Sequence, residues 1–240
     1  KRKKDKPFFL YVSHAAVHNP YQTVEDTPDK RVEGENPNRL NAKNRAKYKW
    51  MLEDLDKGVG RILDTLNELH LAENTLVMFF SDNGAVGMSP KEFRMFRGGK
   101  FSHYEGGHRV PAVAWWPGKI RAGVQSDKLI AGFDLFPTFT DIANLSKGNP
   151  QDLDGASFKA HLLEQKDFPE RDIFFGYEPK LGTAMRRDDW KMIVKEDNGQ
   201  LFNLQVDTQD TTAVADQHPE VARSMKRAID RFKTNVTPGS

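Results

Sequence analysis

The chain has 240 residues, 36 basic and 34 acidic side chains and a formal net charge of +2, a length that fits one large domain or a domain with a smaller companion. Its 38% apolar and 10% aromatic content excludes a disordered chain. No apolar run reaches the ~18–20 residues of a membrane span, the balanced charge offers no basic stripe to nucleic acid, and the absence of cysteine excludes disulfides, thiolate metal sites and a cysteine nucleophile within these residues.

The first six residues are a charge run with no apolar segment long enough to follow as a signal peptide. Phe8, Phe9, Leu10, Tyr11 and Val12 form a continuous apolar block opened by Pro7, which reads as a buried strand. With a core strand expected so near the first residue, Lys1 is expected to lie inside a longer parent chain. Residues 19–45, with Pro20, Pro28, Gly34 and Pro37, read as loop. Tyr48, Met51, Leu52, Leu55, Val59, Ile62, Leu63, Leu66 and Leu69 then follow unbroken 3-4 spacing, the pattern of a long helix with one face on a core. Gly58 and Gly60 lower its propensity and are expected to admit a close neighbour.

Beyond Asn74 the run Thr75, Leu76, Val77, Met78, Phe79, Phe80 suits a strand covered on both faces, as in a parallel sheet. A second strand, Ala112 to Trp116, stops at Pro117 and Gly118, and residues 133–145 read as a short helix with Pro137 in its first turn. Strands alternating with helices argue for an α/β core. After Gly155 the runs shorten to 173–175, 183–186, 190–194 and 200–204, separated by Asp188-Asp189 and Asn198-Gly199, the latter a hairpin signal. This part reads as a small antiparallel sheet. A closing helix over 219–233 presents Val221, Met225, Ile229 and Phe232 on one face.

Three sets of residues bear chemistry. Asp82-Asn83 follows a strand at its C-terminal end, where open α/β sheets bind ligands. A carboxylate beside an amide oxygen suits a hard cation, and the same Asp-Asn-Gly string is ordinary turn chemistry. His14 and His18, with His103 and His108, form two close pairs that read either as zinc ligands or as exposed loop histidines. Between residues 96 and 111, the glycine pairs 98–99 and 106–107 bracket Lys100. Glycines allow close backbone approach and lysine supplies a point charge, so this is an oxyanion-binding loop or a solvated one.

In order along nearly the whole chain, these pieces resemble the sulfatase family of the alkaline-phosphatase-like superfamily. The similar segments are Pro7-Phe8-Phe9-Leu10-Tyr11 with His18-Asn19-Pro20, Leu55-Asp56-Lys57-Gly58-Val59-Gly60, and Asn74-Thr75-Leu76-Val77 with Ser81-Asp82-Asn83-Gly84. They continue through Arg97-Gly98-Gly99-Lys100, Tyr104-Glu105-Gly106-Gly107-His108-Arg109-Val110-Pro111, Asp134-Leu135-Phe136-Pro137-Thr138, Leu153-Asp154-Gly155 and Arg186-Arg187-Asp188-Asp189-Trp190-Lys191-Met192-Ile193.

The resemblance implies an alkaline-phosphatase-like α/β fold. Its sheet is mixed, mostly parallel and flanked by helices, with a small C-terminal antiparallel sheet plus helix. Residues 1–158 would be the C-terminal part of the α/β core and 159–240 a small α+β subdomain. It makes Asp82 and Asn83 ligands of a divalent cation, Ca2+ or Mg2+, and assigns sulfate binding and catalysis to His18 and Lys100, with His18 protonating the leaving alcohol. His103 is marked as a substrate contact, and His14 and His108 as peripheral. Asn83 favours the sulfatase branch over phosphatases and phosphodiesterases of related fold, which place His after that Asp.

The chain departs from the family in lacking the nucleophile motif. The family derives its formylglycine from Cys or Ser in (Cys/Ser)-x-Pro-x-Arg, and the nearest string is Glu35-Asn36-Pro37-Asn38-Arg39. The formylglycine, two further aspartate ligands and a missing N-terminal segment of the same protein are expected upstream, so the chain by itself is expected to be inactive. Val17, Phe101 and His103 are smaller departures. The partner expected is a sulfated small molecule or sulfated carbohydrate, and the location periplasmic or extracellular. The competing readings are a phosphatase or phosphodiesterase of the superfamily and a non-catalytic relative that binds anionic sugars.

Overall fold

The computed structural model describes residues 6–25, 42–85, 95–145, 153–178, 182–196 and 198–236. The string Glu35 to Arg39 and most of the loops 19–45 and 85–96 lie outside these residues. The chain divides into two compact units, Lys1–Ala72 and Glu73–Ser240.

The first unit is built on α1 (Ala42–Glu68), whose face carries buried Met51 and Leu66 as the 3-4 spacing requires. Tyr48 receives the edge of the Tyr21 ring at 5.8 Å. Among the described residues the expected close approach at the helix glycines is absent. A Cβ placed on Gly60 meets nothing within 4 Å, and one on Gly58 meets His14 at an ordinary 3.6 Å. Residues 8–12 are not a buried strand. Among the described residues they form no ladder, and Phe9 and Tyr11 are 76% and 74% exposed. An apolar block becomes a strand only where a neighbouring backbone offers a ladder of hydrogen bonds, and none of the described residues does so for this one.

In the second unit, β1 (Val77–Phe80) and β2 (Ala112–Trp115), with the single-turn helix α2 (Glu105–His108) between them in the chain, pair antiparallel, Val77 facing Trp115 and Phe80 facing Ala112. Trp116 anchors the ribbon through its indole N–H, which donates to the Glu73 carbonyl at 2.9 Å. β1 is not covered on both faces as its apolar run suggests: Phe79 is 40% exposed and Phe80 39%. A two-stranded ribbon leaves faces that only a wider sheet or a packed helix would cover.

Residues 132–134 make a 3-10 turn that leads into α3 (Leu135–Ile142), with Pro137 in its first turn. Fully buried Asp134 organises this corner. It accepts the N–H groups of Ala131 at 2.7 Å and Ala156 at 2.9 Å, and bonds from the two terminal nitrogens of the Arg171 guanidinium. A Cβ on Gly155 would overlap the Phe133 carbonyl, so this position needs glycine. Asp134→Asn leaves the Arg171 charge and one N–H uncompensated in the interior. It is expected to lower stability by about 3 kcal/mol in urea denaturation, and a loss below about 1 kcal/mol would mean the pair is solvated.

After α4 (Lys159–Glu164) come β3 (Asp172–Glu178), β4 (Gly182–Arg187), β5 (Trp190–Lys195) and β6 (Asn198–Asn203), paired antiparallel in that order, then α5 (Pro219–Asn235). Alternation divides the sheet into two faces. Met185, Met192, Val194 and Leu201 pack on Met225, Ala228 and Ile229 of α5, and Phe174 stacks on Phe232 at 4.3 Å. Ala184, Ile193 and Phe202 face the other way, toward Tyr104. Asp188-Asp189 turns the β4–β5 hairpin, with Asp188 at φ 45°. Asn198-Gly199 does not turn the next one. The pairing runs through Lys195 and Asn198, which puts both residues inside β6.

Candidate functional site

The ladder between β1 and β2 continues as irregular bonding into the two loops that follow and precede them. Ser81 N–H donates to the Pro111 carbonyl at 3.3 Å, Gly84 N–H to the Gly107 carbonyl at 3.1 Å and Lys100 N–H to the Ala85 carbonyl at 2.8 Å. Asp82 and Asn83 are thereby stitched to the segment that carries Lys100. Asp82 is exposed, Asn83 is half-buried, and the Ser81 hydroxyl donates to the Asn83 carbonyl at 2.9 Å. The contact demands glycines, because a Cβ on Gly84 would overlap the Gly106 carbonyl oxygen.

The lysine loop is closed by its own backbone. Ser102 N–H bonds to the Gly99 carbonyl at 3.0 Å, Gly106 N–H to the Arg97 carbonyl at 2.7 Å and Gly107 N–H to the Tyr104 carbonyl at 2.8 Å. Gly98 takes φ 77° and Phe101 φ 72°. For an aromatic residue that conformation is strained and persists only where its surroundings fix it. Half-buried Lys100 directs its ammonium to within 5.4 Å of the Phe101 ring centroid.

His103 and His108 stack with centroids 5.9 Å apart. His103 Nε2 lies 3.1 Å from the Gly182 carbonyl, an acceptor only, so Nε2 carries the proton. His108 packs on Phe175 at 4.2 Å, and its Nε2 is buried without a hydrogen-bond partner. Burial, then the neighbouring Lys191 and His103, hold its imidazole down at about 4 against the opposing pull of Glu105. His108 is therefore a neutral packing residue near pH 7. His18 belongs to the first unit, where it is exposed and its Nδ1–H donates to the Asn19 carbonyl at 2.7 Å. His14 is also exposed and lies beside Gly58 of α1.

A buried charge network supports the loop, and the sequence gives its members no role. Glu105 is 2% exposed and receives Lys191 Nζ on one oxygen at 3.0 Å and Arg186 on the other at 2.8 Å. Its N–H donates to Asp210 Oδ2 at 2.8 Å, and Lys191 Nζ reaches the same oxygen at 3.2 Å. Burial favours the neutral Glu105 acid, but the two cations outweigh it and hold the carboxyl below its ordinary value. For Asp210 burial wins over Lys191 and raises the carboxyl. The available sequence signal is Lys191 and Arg186 at the alternation positions of Ile193 and Ala184. On one strand it cannot be told from a solvent-facing stripe.

Among the described residues no three His, Asp or Glu side chains cluster as a metal site. Asp82 and Asn83 offer a carboxylate and an amide oxygen at a strand end, a donor pair whose chemistry fits a hard cation and fills part of the ~6–8 oxygens calcium takes. No helix of the described residues is long and apolar enough to cross a membrane.

Residues 92–235 match the family described as N-sulphoglucosamine sulphohydrolase, C-terminal. The chain is 35% identical over 173 residues to the N-acetylgalactosamine-6-sulfatase of Homo sapiens, covering 70% of this chain and 31% of that protein. It is 30% identical over 261 aligned positions to the N-acetylgalactosamine-6-O-sulfatase of Bacteroides thetaiotaomicron, covering 96% and 48%. Among solved structures, Ps i-CgsB in complex with k-i-k-neocarrahexaose superposes with TM-score 0.79 at 26% identity, over 96% of this chain and 51% of that one. The chain thus spans about half the length of these relatives or less. The fold is the alkaline-phosphatase-like α/β fold of those neighbours. With residues 1–145 matching the Sulfatase family itself, the chain belongs to the sulfatase family.

Proposed function

We propose that the chain forms the metal-strand and lysine-loop part of a sulfuric-ester hydrolase that acts on a sulfated carbohydrate. The observation that carries this reading is the backbone stitching of Asp82-Asn83 to the loop of Lys100, which sets a cation-type donor pair beside an anion-type loop. Relatives named as N-acetylgalactosamine-6-sulfatases and a neighbour solved with a neocarrahexaose support a sugar substrate. In this reading 1–158 belong to the catalytic core and 159–240 to a small subdomain, and the protein works in the periplasm or outside the cell.

Asp82 and Asn83 would hold the divalent cation, calcium or magnesium. Once bound, that cation supplies positive charge that polarises the ester and stabilises charge developing on its oxygens. The Lys100 ammonium binds the sulfate oxygens and strengthens its hold as they gain charge. His18 binds the same group and gives a proton to the departing alkoxide, and His103 borders the substrate. The nucleophile, a formylglycine, comes from outside residues 1–240, since no Cys is present and no Ser stands in a Ser-x-Pro-x-Arg setting.

The test is a sulfated-sugar or aryl-sulfate assay with added calcium. In the full-length protein Asp82→Ala and Lys100→Ala are each expected to lower kcat/KM by about 10²–10³-fold, whereas residues 1–240 by themselves give no useful turnover. Unchanged activity of both variants overturns the site. Robust turnover by residues 1–240 that Asp82→Ala abolishes relocates the nucleophile into this chain.

A further inference from the structure

We propose that Lys191, on the C-terminal antiparallel sheet, is a positioning residue for Lys100, so that the sheet is a working part of the sulfate-binding assembly; this rests on the reading of Lys100 as a sulfate ligand.

The lysine loop is held at two points, and both lead to the same buried group. At its start Arg97 donates to the Asp210 carbonyl at 2.8 Å, and its guanidinium lies 3.8 Å from the Tyr104 ring centroid and 3.1 Å from the Tyr104 hydroxyl. At its end Glu105 is held by Lys191, Arg186 and Asp210. Lys191 Nζ bridges the Glu105 and Asp210 carboxylates at 3.0 and 3.2 Å, with its side chain 1% exposed. Lys100 sits between these two points, next to Phe101 in its strained conformation. The clamps are what fix a backbone that an aromatic residue does not adopt unaided.

Lys191 does nothing for the sheet that an apolar residue would not do. Its ladder partners on that face are Arg186 and Phe202, beside apolar Ala184 and Ile193, and a buried ammonium pays a desolvation penalty that a methionine avoids. What the charge adds is direction. It ties β5 to Glu105, 86 positions away in sequence, and so fixes where the loop lies over the sheet. A displacement of about 1 Å at such a group lowers rate by about 10²-fold.

The experiment uses the full-length protein and reads Lys100 directly. Trace acylation of lysines, with and without sodium sulfate, is followed by peptide mass spectrometry on wild type, Lys191→Met, Lys191→Arg and Glu105→Gln. Wild-type Lys100 is expected to be protected by sulfate. In Lys191→Met the sulfate concentration giving half-protection rises about tenfold or more, and in Glu105→Gln it rises by a smaller factor. Lys191→Arg, which keeps the charge and the donors, recovers protection. Glu105→Gln keeps the side-chain shape and carries the test should Lys191→Met not fold. Absence of protection in wild type overturns the Lys100 reading itself. Protection in wild type that is undiminished in Lys191→Met and Glu105→Gln, or that follows melting temperature rather than charge across the variants, overturns the positioning role alone.

Discussion

Gly84→Ala is expected to separate the two loops of the site. The added methyl would overlap the Gly106 carbonyl oxygen, which is backbone and cannot swing aside. The chain must shift, and the Gly84 N–H bond to the Gly107 carbonyl, 3.1 Å in the native arrangement, is the first to go. Overpacking of this kind costs about 1–3 kcal/mol of stability. The functional effect is expected to be larger, because this seam ties Asp82-Asn83 to the loop of Lys100, and kcat/KM of the full-length protein is expected to fall by about 10²-fold or more. Gly60→Ala is the control. Its methyl meets nothing within 4 Å in the middle of α1, so it is expected to stabilise by about 0.5–1 kcal/mol with activity unchanged. Equal activity loss in both variants, or none in Gly84→Ala, would show that the seam does not set the site.

The second large effect is in acid. His108 is held at about 4, well below the ~6.5 of a free imidazole. A group that takes up protons more readily when unfolded withdraws stability as pH falls. For His108 that loss begins near pH 6.5 and is complete near pH 4. The charged and titratable groups facing it are His103, Lys191 and Glu105. Glu105, held below its ordinary value, adds a loss of the same sign at lower pH. Asp210, raised by burial, acts in the opposite sense and gains stability as it protonates. With solvent screening discounted, the His108 share is about 2 kcal/mol. His108→Leu removes it while keeping the packing on Phe175, and sacrifices no hydrogen bond at Nε2. In urea denaturation at pH 7, 5.5 and 4.5 the variant is expected to match wild type at pH 7 and to lose less stability below it. An identical pH slope in the two proteins would exonerate His108.

The sequence by itself determined the family and most of the element plan. The ordered strings around His18, Asp82, Lys100 and Asp134 need no partner to be recognised. The runs of β3 to β6 and the face of α5 follow from periodicities of 2 and 3.6 that are local properties of the chain. The tertiary structure decided which of those surfaces is covered and by what. Residues 8–12 and 77–80 are both apolar strings, yet of the two only the second forms a strand ladder among the described residues, because a strand exists only where another backbone completes its hydrogen bonds. Asn198-Gly199 has turn chemistry, but the register of β5 and β6 places it in a strand. Lys191 looks like any polar position in an alternating strand. It is buried because Glu105, from a loop far earlier in the chain, packs on that face and accepts its charge. Whether a charged side chain faces solvent or closes a network depends on a partner that sequence spacing cannot place, since the free energy of burying it is set by the pairing and not by the residue.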